Sequence, residues 1–261
     1  MSIDSLFRFF WQNGTGGLLH HEDFWDIIAT NVQICRDEIA SLEKGKIRLE
    51  GGGEIQCDAI LCGTGWKPSL QFFEEQDLLR LDLPHLPESE SSATTEKWAQ
   101  LMLDADKKLC SMYPMLENLP PHPHTHIATT PYRLYQGMVS AQDDSILFMN
   151  HIVTGNKLFA ADIQAMWAVA FFDKKIALPS VDDMDKDTAL WVTYSRRRYL
   201  SSGELGNNLA FETITYTDRL LKQLGLTAHK KGMWKDMFEP FRPSDLGKAW
   251  QEYLGKSRSD K

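Results

Sequence analysis

The stretch Asp58-Ala-Ile-Leu-Cys-Gly63-Thr64-Gly65-Trp66 joins a continuous apolar run to a Gly-Thr-Gly turn. Glycines there let a ligand approach the backbone, and N–H groups beyond the carboxyl end of a buried strand can meet a phosphate or a ring. A plain strand-to-loop turn of any α/β domain would use the same residues. His122, His124 and His126 alternate, so an extended backbone would carry three imidazoles on one side, a set zinc can use. Imidazole ligands are usually drawn from separate elements and oriented by partners, which a proline-flanked stretch does not identify, so a polar surface loop is expected and no metal site. Arg196, Arg197 and Arg198 could grip a phosphate, but consecutive residues fan out around a helix and at most one would face a site. No G-x-S-x-G occurs, hydrolase chemistry has no support, and nothing marks a general base.

These groups need elements to position them. Residues 4–12 and 22–30 read as short aromatic-rich helices around a glycine turn at Gly14, Gly16 and Gly17. Val32 and Ile34 alternate with polar neighbours, and two further alternating runs, 46–50 and 54–57, flank Gly51-Gly52-Gly53, the pattern of a β-hairpin. Ala59–Cys62 is apolar throughout, as in a strand buried on both faces. Residues 82–95 read as an exposed connection. A helix then carries Trp98, Leu101, Met102, Ala105, Leu109 and Met112 on one face, followed by a proline-rich irregular loop between Pro114 and Pro131. Ser145–Met149 reads as a second buried strand, ending at Asn150-His151. A helix apolar on all sides is expected from Asn156 to Lys175, and helices again at 188–199, at 212–224 closed by Gly225, and at 246–253. Trp98, Trp167, Trp191, Trp234 and Trp250 are expected mostly in the core.

The chain has 261 residues, 43% of them hydrophobic and 25% charged, with a formal net charge of −8. That composition belongs to a globular chain of one or two domains, and its acidic balance argues against a general binder of nucleic-acid phosphates. The longest strongly apolar stretch, 163–172, is about half of what a membrane span needs, and Asp4 and Arg8 interrupt any signal-like run. A cytoplasmic protein is expected, with no membrane partner. Cys35, Cys57, Cys62 and Cys110 lack C-x-x-C spacing and read as reduced, mostly buried thiols.

The hairpin, the acidic residue, the apolar strand and the T-G-aromatic ending together resemble the segment of flavin-containing monooxygenases where the chain returns from the NADPH domain to the FAD domain. Downstream, Ser145–Met149, Gln164-Ala-Met-Trp167, Leu178-Pro-Ser180 and Met184 are similar, in order and spacing, to the family's last FAD-domain strand, its following helix and the turn beyond. Trp191, Arg198-Tyr199, Tyr216, Leu220-Leu221 and Leu224-Gly225-Leu226 look like its fungal members. The resemblance implies an α/β fold, with an incomplete Rossmann-like FAD domain and a mostly helical C-terminal region. It divides the chain into a remnant of the NAD(P)H-binding domain (1–62), the later part of the FAD domain (63–185) and a helical extension (186–261).

It also implies two cofactors, FAD and NADPH, and a small-molecule substrate, oxygenated through a flavin hydroperoxide in secondary-metabolite biosynthesis. Residues implied near the cofactor are Gly63, Thr64 and Gly65 through their backbone, and the loop containing Asn150, His151, Thr154 and Asn156, with Gln164 orienting that loop. Three departures stand out. The sequence holds neither G-x-G-x-x-G fingerprint nor F-x-G-x-x-x-H, Asn150 stands where glycine is usual, and Met166 stands where arginine is usual. Two alternatives follow from them: a truncated, non-catalytic relative or interaction protein, or half of a split enzyme whose second polypeptide supplies the missing fingerprints.

Overall fold

The computed structural model describes residues 11, 21–63, 70–121, 127–226, 238–239 and 243–259. Its chain divides into two compact units, Gly17–Phe72 and a larger one made of Met1–Gly16 with Phe73–Lys261.

In the smaller unit a short helix, α1 (Phe24–Asn31), precedes three strands, β1 (Ile39–Glu43), β2 (Lys46–Leu49) and β3 (Glu54–Gln56). They form an antiparallel meander in the order β1-β2-β3, with Ile47 opposite both Leu42 and Ile55. The expected hairpin is therefore present as β2–β3, and β1 adds a strand that the glycine-centred reading did not find. Gly45 and Gly52 take φ of +77° and +85° at the two turns, a region open to glycine and costly for residues with a Cβ. Arg48 pairs with Glu43 and Glu54 across the sheet.

Two expectations for this unit fail. Val32 and Ile34 lie outside any strand. Ala59–Cys62 is neither a strand nor buried; Leu61 is 98% exposed. A strand buried on both faces requires neighbours on each edge and cover on each side, and among the described residues no strand pairs with it. The apolar run announces a burial that its own residues cannot supply.

In the larger unit, α2 (Glu75–Arg80) leads to α3 (Ser92–Met112), whose first turn is capped by Ser91 Oγ accepting from Thr94 N at 3.2 Å. Residues 82–85, expected in an exposed connection, are buried, because Leu83 turns inward beside Leu81 and Arg133 N donates to Asp82 O. After a 3₁₀ turn at Pro114–Leu116, β4 (Leu134–Tyr135) and β5 (Val139–Ser140) form a two-stranded hairpin. Its turn residues Gln136 and Gly137 both have positive φ, 54° and 63°, the mark of a type I′ turn. A Cβ on Gly137 would collide with Ile152.

Ser145–Met149, expected as a buried strand, is irregular and only half-buried; Phe148 N donates to Met138 O without a ladder. Next come β6 (Val153–Thr154), α4 (Lys157–Phe172), α5 (Val181–Arg198), β7 (Asn208–Leu209), α6 (Thr213–Gln223) and α7 (Pro243–Ser259). β6 and β7 pair in parallel. Ser180, the end of the L-P-S turn, caps α5 by accepting from Asp183 N at 3.2 Å. Gly225, with φ of +66°, follows α6 as expected.

The main core gathers Met138, Ile163, Met166, Trp167 and Tyr216, each within 1% of full burial, between α4, α6 and the hairpin. α4 is not apolar and buried on every side. Leu158, Val169 and Phe172, at helical spacing, lie open to solvent at 82%, 47% and 53%. A second cluster, Trp98, Ala105 and Ala189, joins α3 to α5. Trp191 and Trp250 are half-buried. Among the described residues no helix is long and apolar enough to cross a membrane.

Candidate functional site

The sequence candidates of the larger unit converge on the loop that connects β6 to α4 and on the groups that hold it. Asn156 is the N-cap of α4: its Oδ1 accepts from Phe159 N at 3.1 Å, satisfying one of the donors left over in a helix's first turn. Asn156, Lys157 and Leu158 are exposed, so the positive end of the helix dipole faces solvent there. Just upstream, Gly155 N donates to both Ala210 O and Thr213 Oγ1 at 2.9 Å, and a Cβ on Gly155 would meet Ala210 O at 2.7 Å. The glycine permits this close approach of loop to loop.

Asn150 begins the segment with φ of +60°, a conformation Asn adopts more readily than most residues and glycine most readily of all. Its N–H donates to Gln164 Oε1 at 2.9 Å. Gln164, 1% exposed on α4, passes its amide N–H to the Tyr216 hydroxyl at 2.8 Å, and Tyr216 donates to Gln136 O at 2.9 Å. One relay thus fixes the loop, α4, α6 and the β4–β5 turn together. Burial pushes the Tyr216 phenol up, so it stays a neutral donor.

His151 stacks on Tyr132 with centroids 4.5 Å apart. Its Nε2–H donates to Gly137 O at 2.6 Å, which leaves Nδ1 as the unprotonated nitrogen. Burial lowers the ring to about 4, partly opposed by the Gly137 bond, so His151 is neutral near pH 7. Its Nδ1 is out of solvent, as are both amide atoms of Gln136 and the Thr154 hydroxyl, and none has a partner among the described residues. Gln136 and His151 line a small, partly open cavity of about 20 Å³.

Gly63 lies in the smaller unit, exposed and in no strand. Thr64, Gly65 and the histidines at 122, 124 and 126 lie outside the described residues. The four cysteines are free; Cys35 and Cys62 are exposed and Cys57 and Cys110 half-buried, so none is the buried thiol expected. Among the described residues no cluster of His, Cys, Asp or Glu could hold a metal. The three arginines fan out as expected: Arg197 Nη2 donates to Asp106 at 2.7 Å, Arg196 to Glu204 O at 3.0 Å, and Arg198 pairs with Glu212. Sequence reasoning missed Gln136. The signal was a Gln-Gly pair between the apolar pairs Leu134-Tyr135 and Met138-Val139.

A fixed loop that opens on an exposed helix N-terminus suits an electron-rich ligand. Over nearly its whole length the chain is similar in sequence to fungal proteins named FAD-dependent monooxygenases, a class of flavin-dependent oxidoreductases. It is 26% identical over 269 residues to the FAD-dependent monooxygenase resA of Aspergillus sclerotiorum, covering 99% of this chain and 46% of that protein. It is 27% identical over 257 residues to the FAD-dependent monooxygenase DEP4 of Alternaria brassicicola, covering 94% and 43%. To the DEP4 protein of Fusarium langsethiae it is 28% identical, covering 97% and 45%. The chain spans a little under half the length of these curated relatives. No protein-family model and no solved structure matches it.

The residues present fit part of FAD. The exposed start of α4, residues 156–158, would offer backbone N–H groups and a positive dipole to an electron-rich ring, whereas the N–H groups of Asn150, Val153 and Gly155 are already engaged within the protein. A pyrophosphate is ordinarily held by a glycine fingerprint, which this sequence does not contain.

Proposed function

We propose that this chain forms the ring-facing part of an FAD- and NADPH-dependent monooxygenase that oxygenates a small organic molecule in fungal secondary metabolism. Residues 1–62 would belong to the NADPH-binding domain, 63–185 to the FAD domain and 186–261 to a helical extension. The observation that carries this reading is the relay Asn150–Gln164–Tyr216–Gln136, which holds the loop implied to face the flavin, together with the relatives' shared name.

FAD, when bound, takes electrons from NADPH and activates dioxygen. The chain's part is to position and to exclude. The backbone of 150–158 would hold the ring edge, the α4 dipole would favour negative charge on it, and Gln164 would keep the loop from shifting. His151, neutral and turned toward Gly137 O, positions the loop rather than moving protons.

The test is to titrate the purified chain into FAD, following flavin fluorescence anisotropy, and then to add NADPH. The reading expects anisotropy to rise to saturation, Gln164→Leu to weaken binding about tenfold with its circular dichroism unchanged, and NADPH to be consumed only when FAD is present. Unchanged anisotropy with the folded chain in excess overturns it.

A further inference from the structure

Away from the α4 loop, the larger unit has a pocket of about 420 Å³ between α3, the turn after it, α5 and α6. That volume lies within the range of small-molecule sites, about 300–1,000 Å³. Its deep wall is Leu109 and Leu116, each 2% exposed, and its rim is Met112, Tyr113 and Met115, which stand 52%, 44% and 57% open to solvent. Methionines are flexible and polarisable and adapt to flat ligands. Tyr113 meets Tyr194 edge to face at 6.4 Å, so one side of the mouth is aromatic.

The α5–α6 side is charged, and its groups are fixed unequally. Glu212 is fully engaged: Tyr194 donates to Oε1 at 2.7 Å, Tyr199 donates to Oε2, and Arg198 lies 3.7 Å away. Burial and the adjacent Glu212 push both phenols up, which keeps them neutral donors. Arg219 is held differently. Asp187, which does not line the pocket, engages Nη2, and the guanidinium lies over the Trp191 ring at 5.6 Å. Two guanidiniums and one carboxylate thus face an otherwise apolar space, and the carboxylate's oxygens are committed to the protein. A guanidinium held by a carboxylate on one side and over an indole on the other is ready to receive an anion at little cost in order.

We propose that this pocket binds an amphipathic small molecule with a flat apolar body and a single anionic head, the body between the α3 rim and Trp191 and the head on Arg219. The inference does not rest on the flavin reading, and its test uses no flavin.

The full-length chain is titrated with two fluorescent probes of nearly the same shape, anionic 1-anilinonaphthalene-8-sulfonate and neutral N-phenyl-1-naphthylamine. One saturable site should take both, the anion at least fivefold more tightly. Thr215→Trp, on an exposed position of α6 that lines the pocket, should abolish that site, and Arg219→Gln should weaken the anion about tenfold while leaving the neutral probe unchanged. Met115→Glu at the exposed rim supplies a second variant, expected to weaken the anion more than the neutral probe. Unchanged binding in folded Thr215→Trp, or in folded Met115→Glu should the tryptophan variant fail to fold, overturns the site. Equal anion preference in wild type and Arg219→Gln overturns the assignment of the head.

Discussion

The side-chain amide of Gln164 donates to the hydroxyl of Tyr216 at 2.8 Å, deep between α4 and α6, and both residues have a second partner on a loop or turn. Tyr216→Phe removes one hydroxyl and strands two buried groups, the Gln164 amide and the Gln136 carbonyl. Leaving buried polar groups unsatisfied costs about 1–3 kcal/mol. Urea denaturation should show a loss in that range, and a thermal scan should show a fall of several degrees.

Asn156 acts through the end of the helix it caps. As the N-cap of α4 it is worth about 1 kcal/mol against alanine. Asn156→Ser keeps a capping oxygen and should retain stability, while Asn156→Ala should lose it, as read by chemical denaturation of both variants. FAD affinity should follow the same order, because the cap acts by fixing the helix end rather than by touching the flavin with its amide.

Asp82 gives a pH dependence of definite sign. Burial raises its carboxyl to about 6, against an ordinary 3.8, with Ser140 donating to it and lowering it somewhat, and Asp185 raising it further. A folded value above the unfolded one means that this group's stabilisation is complete below about 3.8 and is lost as pH rises through about 6. Asp82→Asn keeps an acceptor for Ser140 and abolishes the titration. Its stability relative to wild type should therefore rise between about pH 4 and pH 7, by at most roughly 3 kcal/mol, measured by urea denaturation at both pH values.

Glu90, Arg133 and His85 form a nearly dry cluster whose side chains are 2%, 7% and 2% exposed, with Arg133 over the Trp98 ring at 4.6 Å. Burial opposes the charge on Glu90, but the hydrogen bonds from Arg133 and His85 outweigh it and hold the carboxyl below the usual range. Breaking a buried pair from one side leaves the other charge uncompensated, at about 3–5 kcal/mol. Glu90→Leu should cost that much by equilibrium unfolding, whereas truncating Lys186, exposed in its pair with Asp183, should be nearly neutral.

Elements with a local signal were legible in the sequence. The hairpin around Gly51–Gly53, α3, the start of α4 at Asn156 and the Gly225 stop are all written in turn residues, caps or helical spacing. The failures are long-range. Ala59–Cys62 and Ser145–Met149 have strand composition, yet a strand exists only beside another, and among the described residues neither has a partner. The buried Leu81–His85 turn is specified by Arg133 and Thr130, more than forty residues away, and no window of sequence contains both ends. At the candidate site, Gln164 as the loop's anchor followed from the resemblance, and its hydrogen bond to Asn150 is in the structure. The continuation through Tyr216 to Gln136 depends on a buried Gln-Gly turn that polar composition alone would place on the surface.

Amide hydrogen exchange of the intact chain, with and without saturating FAD, tests most directly the claim that the loop before α4 faces the flavin. The account predicts slowed exchange confined to the backbone from about Asn150 to Phe159 in the larger unit, reduced in Gln164→Leu. Exchange that is unchanged there while FAD is demonstrably bound, or protection that falls only elsewhere in that unit, would contradict it.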